Sequence, residues 1–303
     1  MNTDTFEIST THRPHLIALD SLRGIAALSI VIGHFGQTTP SIAPYFAHAY
    51  LMVDLFFVLS GFAIFYAYHD RLGTAKQVWR FAWLRFWRLY PLHFVTLLYF
   101  IAVELAKPVA GLFMSVHHAA FSLGGWKAIV INCFLLQSFN LGPSTFNGPS
   151  WSISSEFYVY IFFAFVALAL GRRSSVLAMS GLICAIAIAV LAVYGPAMNW
   201  TVDNGWVRGV AGFFAGVMTC GAYLNLGELK TSKFDMGWLA LLSLFVVVAF
   251  VYFKPMVGIW IIPFSAVLIL LTALCRPSGA IGFLTSRPMR LSAVRAYETE
   301  KGF

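Results

Sequence analysis

The sequence predicts an all-α fold: a polytopic membrane helix bundle of about eight transmembrane spans, plus one short interfacial or re-entrant helix. Three observations carry this expectation. Hydrophobic residues fill 59% of the 303 positions and charged residues only 11%, whereas a soluble domain has about 25% charged residues. Mean hydropathy is +0.79. The apolar residues fall in long runs rather than ten-residue alternations, which selects helices over a β-barrel. Disorder, collagen, coiled coil and a secreted disulfide scaffold are excluded by the same numbers.

The runs define spans at residues 17–36, 51–68, 89–106, 151–170, 176–195, 207–226, 238–253 and 258–274. Crossing a hydrocarbon core of about 30 Å takes about 20 helical residues. Segment 126–139 (WKAIVINCFLLQSF) is short for a span, which leaves an interfacial or re-entrant helix. Charge supports that reading. With 126–139 not crossing and the N-terminus inside, most cations face the cytoplasm, among them Arg71, Lys76, Arg80, Arg85, Arg88, Arg172, Arg173, Lys230 and Arg287. Only Lys107, Lys127, Arg208 and Lys254 fall outside, as the positive-inside rule asks. Both termini are therefore expected in the cytoplasm. Residues 1–16 form a polar tail without signal-peptide character, residues 17–274 the membrane domain, and residues 275–303 a polar cytoplasmic tail.

The net charge of +8 fits cytoplasmic loops facing anionic lipid, and no nucleic acid partner is expected. Cys133, Cys184, Cys220 and Cys275 form no CxxC pair and read as buried thiols. His117 and His118 are adjacent and would project differently, so no metal site is expected.

Polar groups inside spans are costly and usually functional. Arg23 and His34 lie 11 positions apart in the first span. They share one helical stripe, within about 20° and separated by about 16 Å along the axis. Arg23 either snorkels to headgroups or serves a site; His34 either packs or acts as a base. Asp54, near the outer end of the second span, pairs with a cation or orients His34. Ser60-Gly61 permits a close helix crossing. Arg85 and Arg88 share a helix face among Trp83, Phe86 and Trp87. That face is either a membrane anchor or an anion site in which guanidiniums hold phosphates. Pro91 marks entry into the third span. Gly148-Pro149 breaks the chain before the next helix, Ser150 or Ser152 can cap it, and Glu156 falls inside its first turns.

Four segments resemble, in order, the integral-membrane acyltransferase family three, which includes many bacterial sugar O-acyltransferases. They are LDSLRGIAALSIVIGHF, VDLFFVLSGFAIF, FAWLRFWRLYPLH and GPSWSISSEFYVYIF. The resemblance covers about residues 15–290. It places the family's Arg-x10-His pattern on Arg23 and His34, its Arg-x-x-Arg on Arg85 and Arg88, and its Trp-Ser…Glu segment on Trp151, Ser152 and Glu156. Relatives usually continue into two more spans, so the tail after Arg290 is expected to be shortened relative to the family.

The resemblance implies transfer of an acyl group, commonly acetyl, from cytoplasmic acyl-CoA to a hydroxyl of a carbohydrate, such as a surface polysaccharide or its precursor. Acyl-CoA (acetyl-CoA) enters as donor substrate, with no permanently bound cofactor. Arg23, Arg85 and Arg88 are then the acyl-CoA site, His34, Asp54 and Glu156 the catalytic group, and Trp151 and Ser152 acceptor contacts. The expected location is a bacterial inner membrane. A membrane transporter or flippase, and an inactive remnant, are the alternatives.

Overall fold

The computed structural model describes residues 16–36, 39, 41, 43–113, 115, 119–122, 124–142, 146–227, 237–252, 258–275 and 284. Their helices, in order, are α1 (Ile17–Gly36), α2 (Met52–Tyr68), α3 (Ala75–Ala110), α4 (Gly125–Cys133), α5 (Trp151–Leu170), α6 (Arg173–Tyr194), α7 (Gly205–Gly227), α8 (Gly237–Tyr252) and α9 (Ile261–Leu274), with short 3-10 turns between some of them. Among the described residues there is no strand. The helices α1, α2 with its preceding turns, α3, α5, α6 and α7 are long and apolar enough to cross a membrane, and α8 and α9 are shorter apolar helices. The chain is a polytopic membrane helix bundle, as its composition requires. His117, His118 and most of both expected tails lie outside the described residues.

Two local expectations change. The third span and the basic aromatic stretch before it form one continuous helix, α3, of 36 residues, about 54 Å long at 1.5 Å per residue. Pro91 lies within it. Proline removes one intrahelical donor, yet the helix runs through it. At its start Thr74 and Gln77 form a reciprocal capping box, which satisfies two otherwise orphaned N–H groups. At α5, neither Ser150 nor Ser152 caps with its side chain. Their hydroxyls instead donate to the carbonyls of Asn147 and Pro149, so the helix grows out of a preceding 3-10 turn, Gly148–Ser150. Of the four cysteines, Cys184 and Cys220 are buried, whereas Cys133 and Cys275 are half-buried.

The helix α2 packs most extensively against α7, which also contacts α5, α6 and α9. Glycine permits this contact. A Cβ at Gly61 of α2 would strike the carbonyl of Phe213, and one at Gly216 of α7 would strike the carbonyl of Val58. In lipid there is no hydrophobic drive between helices, so association rests on such close packing. Around the crossing Phe65, Phe163, Phe213 and Phe214 interlock edge to face, and all four are fully buried.

Candidate functional site

The helices α3 and α5 run antiparallel in contact. Phe81 meets Tyr160 and Phe86 meets Phe157, so advancing along α3 means retreating along α5. This pairing sets Arg85 and Arg88 opposite the turn of α5 that carries Glu156 and Tyr160. The electrostatic neighbours of Arg88 are Tyr160, Arg85, Glu156 and Arg23. Arg85 donates to the Tyr68 hydroxyl at 3.3 Å and lies over the rings of Tyr68 and Phe81. Such stacking suits a planar, weakly hydrated guanidinium. Its buried Nε has no hydrogen-bond partner among the described residues. Arg23, from α1, ion-pairs with Asp20 at 2.5 Å. Arg88 therefore has two cations, Arg85 and Arg23, and one carboxylate, that of Glu156, among its neighbours.

That carboxylate is held from two sides. Ser60 of α2 donates to Glu156 Oε1 at 2.6 Å, and Tyr160, one turn on in α5, donates to the same oxygen. From sequence, Glu156 is only an acid in the first turns of its helix and Ser60 part of a close helix crossing. Only the α2–α3–α5 junction reveals that they form one cluster.

The remaining candidates lie elsewhere. Asp54 is fully buried and bound by Arg208 of α7, Nε to Oδ1 at 3.1 Å and Nη2 to Oδ2 at 2.6 Å. Arg208 also donates to the carbonyls of Trp200 and Tyr50 and lies over the Trp151 ring, 4.8 Å from its centroid. Of the two readings of Asp54, the structure forms the cation pair. Arg208, read as an outer-side cation, is wholly enclosed because this carboxylate and these acceptors surround it. Trp151 is itself buried and meets Phe57 edge-on. Ser152 bonds back to its own turn. His34 sits in the last turn of α1 with its side chain exposed. Among the described residues no hydrogen bond joins it to Asp54 or Glu156.

A second polar cluster, which the sequence reading missed, terminates α4. Nine residues, about 13 Å of helix, cannot cross a bilayer, so α4 must satisfy its last carbonyls without lipid's help. It does so with borrowed donors. His93 pairs with the Asn132 carbonyl at 2.9 Å, Tyr90 donates to Cys133, Tyr158 to Phe134 and Ser154 to Leu135. The backbone adds a Schellman closure: Leu136 N–H reaches Ile131 O, and Leu135 N–H reaches Asn132 O. Leu135 holds φ 56° where glycine is usual, at a cost of about 1 kcal/mol. Gln137 completes the cluster, donating to Asn132 Oδ1 at 3.1 Å. Two tyrosines, a histidine and a serine at helical spacing opposite a short apolar segment were the available signal.

With this geometry in place, comparison with known proteins is decisive for the family. Residues 16–293 match the acyltransferase domain family, Acyl_transf_3. The chain belongs to this family. It is 32% identical over 168 residues to "Acyltransferase MdmB" of Streptomyces mycarofaciens, a match covering 50% of this chain and 39% of that protein. It is 35% identical over 164 residues to "Protein 2 in picA locus" of Rhizobium radiobacter, covering 49% of this chain and 80% of that one. The chain thus spans well under half of the Streptomyces protein. No solved structure matches it significantly. In this acyltransferase-family bundle, the Arg-x-x-Arg pair and the glutamate of the Trp-Ser…Glu segment are the elements that tertiary structure brings together.

Proposed function

We propose that this chain is a membrane O-acyltransferase that moves an acetyl group from acetyl-CoA to a hydroxyl of a carbohydrate. The single observation that carries the reading is that Arg88 has Arg85, Arg23 and Glu156 as its charged neighbours. Guanidiniums are suited to the phosphates of CoA, which they grip with charge-assisted, bidentate hydrogen bonds. Family membership favours acyl transfer over the transporter alternative.

In this reading the arginines hold the CoA end, and the thioester reaches along the stripe that joins Arg23 to His34. His34 acts as general base. The acceptor hydroxyl oxygen attacks the thioester carbonyl carbon as its proton passes to the imidazole. The C–S bond then breaks, and the imidazole returns the proton to the departing CoA thiolate. The exposure of His34 on α1 suits a residue that must meet an external acceptor. Glu156 shares the site with Arg88 and takes part in orienting or accepting protons from the acceptor. Asp54 and Trp151 act one step removed, by fixing Arg208 and with it the entry to α5. The bundle sits in a bacterial inner membrane with both termini cytoplasmic.

The test is a transfer assay on the purified 303-residue chain with labelled acetyl-CoA and a panel of carbohydrate acceptors. Wild-type protein should release CoA in step with acceptor labelling, and His34→Ala should lose about 10²–10⁴-fold in rate at normal yield. Label movement across vesicles without CoA release would overturn the enzyme reading. Undiminished transfer by His34→Ala would remove the histidine from it.

A further inference from the structure

Glu156 is asymmetrically bound. Both hydroxyls that reach it, from Ser60 and Tyr160, meet Oε1. Among the described residues Oε2 receives no hydrogen bond. The two donors are themselves fixed. Tyr160 is 3% exposed, with Phe81 and Phe213 packed edge-on against its ring, so its hydroxyl cannot swing away. Ser60 precedes Gly61, whose backbone is pressed against the Phe213 carbonyl of α7, so the α2 backbone that carries Ser60 cannot slide. A carboxylate gripped at one oxygen from two directions has its second oxygen aimed, and Arg88 is the cation that shares this site.

We propose that Ser60 and Tyr160 are positioning residues for Glu156: they aim its second oxygen into the space beside Arg88, where the reacting ends of donor and acceptor meet. The proposal rests on the assignment of Glu156 to the reaction made above. It adds that the catalytic geometry is set by the α2–α7 crossing, through Ser60, as well as by α5 itself. Two hydroxyls from different helices make the aim independent of either side chain's own rotamer freedom. Misplacement of a reacting group by about 1 Å can cost on the order of 100-fold in rate.

The experiment measures acetyl transfer by the full chain and its variants, with thermal stability in detergent as a check on folding. Ser60→Ala and Tyr160→Phe should each lower kcat by about 10–100-fold, with KM for acetyl-CoA changed less than about twofold, and Ser60→Thr should restore most of the lost rate. In a Glu156→Gln background, Ser60→Ala should cause no further loss, because residues acting through one group are non-additive. Near-wild-type kcat in Ser60→Ala and Tyr160→Phe while Glu156→Gln is inactive would overturn this proposal alone. So would a full additional loss in the Ser60→Ala, Glu156→Gln double variant. Wild-type activity in Glu156→Gln would instead bring down the assignment of Glu156 on which the proposal rests.

Discussion

Arg208 and Asp54 form a two-pronged ion pair between α7 and α2 from which solvent is wholly excluded. Burying two charges costs several kcal/mol per ion, and the cost is recovered only when geometry and secondary hydrogen bonds are complete. Here they are. The guanidinium spends its other donors on the carbonyls of Trp200 and Tyr50 and offers its face to Trp151. Asp54→Ala should therefore destabilise the bundle by about 3–5 kcal/mol, since it strands a buried cation. Asp54→Ala combined with Arg208→Met should recover most of that loss. Thermal midpoints in detergent check both, and equal midpoints for the single and double variants would contradict the stranded-charge account.

The α2–α7 crossing depends on absent side chains. Gly216→Val would drive a branched side chain into the backbone of Val58, and no rotamer of a neighbour can relieve a clash with backbone. We expect loss of the folded, monodisperse protein on size-exclusion chromatography. Gly24→Ala, at a position with no atom near its absent side chain, should behave as wild type.

Arg85 and Arg88 differ in their surroundings, and their variants should differ accordingly. Arg85 is stacked on Tyr68 and Phe81, so Arg85→Ala should cost both stability and acetyl-CoA affinity. Arg88 is exposed at the site, so Arg88→Ala should raise the acetyl-CoA requirement with little change in thermal midpoint. Titration of the donor at saturating acceptor separates the two effects. An acceptor KM that rises more than the donor KM would argue against an acyl-CoA role.

The donors that close α4 should be worth more together than apart. Removing one partner leaves a buried carbonyl unsatisfied, at about 1–3 kcal/mol. Tyr90→Phe and Ser154→Ala each strand one carbonyl, at Cys133 and Leu135. Both should increase proteolysis within 125–140 relative to the wild-type protein. Unchanged cleavage in both would mean that water reaches this helix end.

Orientation is accessible to single cysteine tags. A tag at Gly171 should label from the cytoplasmic side and one at Asn204 from the outer side. Opposite labelling at Gly171 would invert every later loop and defeat the charge argument.

The sequence by itself determined the class of molecule and nearly every helix. Too few charged residues exist to cover a water-soluble surface, and each apolar run must close its own backbone hydrogen bonds in lipid. Local chemistry therefore suffices to place α5 at residues 151–170 and α1 at 17–36, the spans read from their apolar runs. The short apolar centre of 126–139 likewise marks a helix too short to cross, and the structure gives it only the nine residues of α4. Tertiary structure alone decided who meets whom. Arg208 looks like an outer-side cation at the start of its span until α7 docks on α2 through its glycines and delivers it to Asp54. Ser60 looks like packing until the same docking turns it toward Glu156. His93 and Tyr90 are unremarkable members of α3 until a nine-residue helix ends against them. The physical reason is one of range. Helix formation in a membrane is set by bonds four residues apart, whereas a site is set by side chains as much as 154 positions apart, as Asp54 and Arg208 are, and nothing in their own neighbourhoods records the partner.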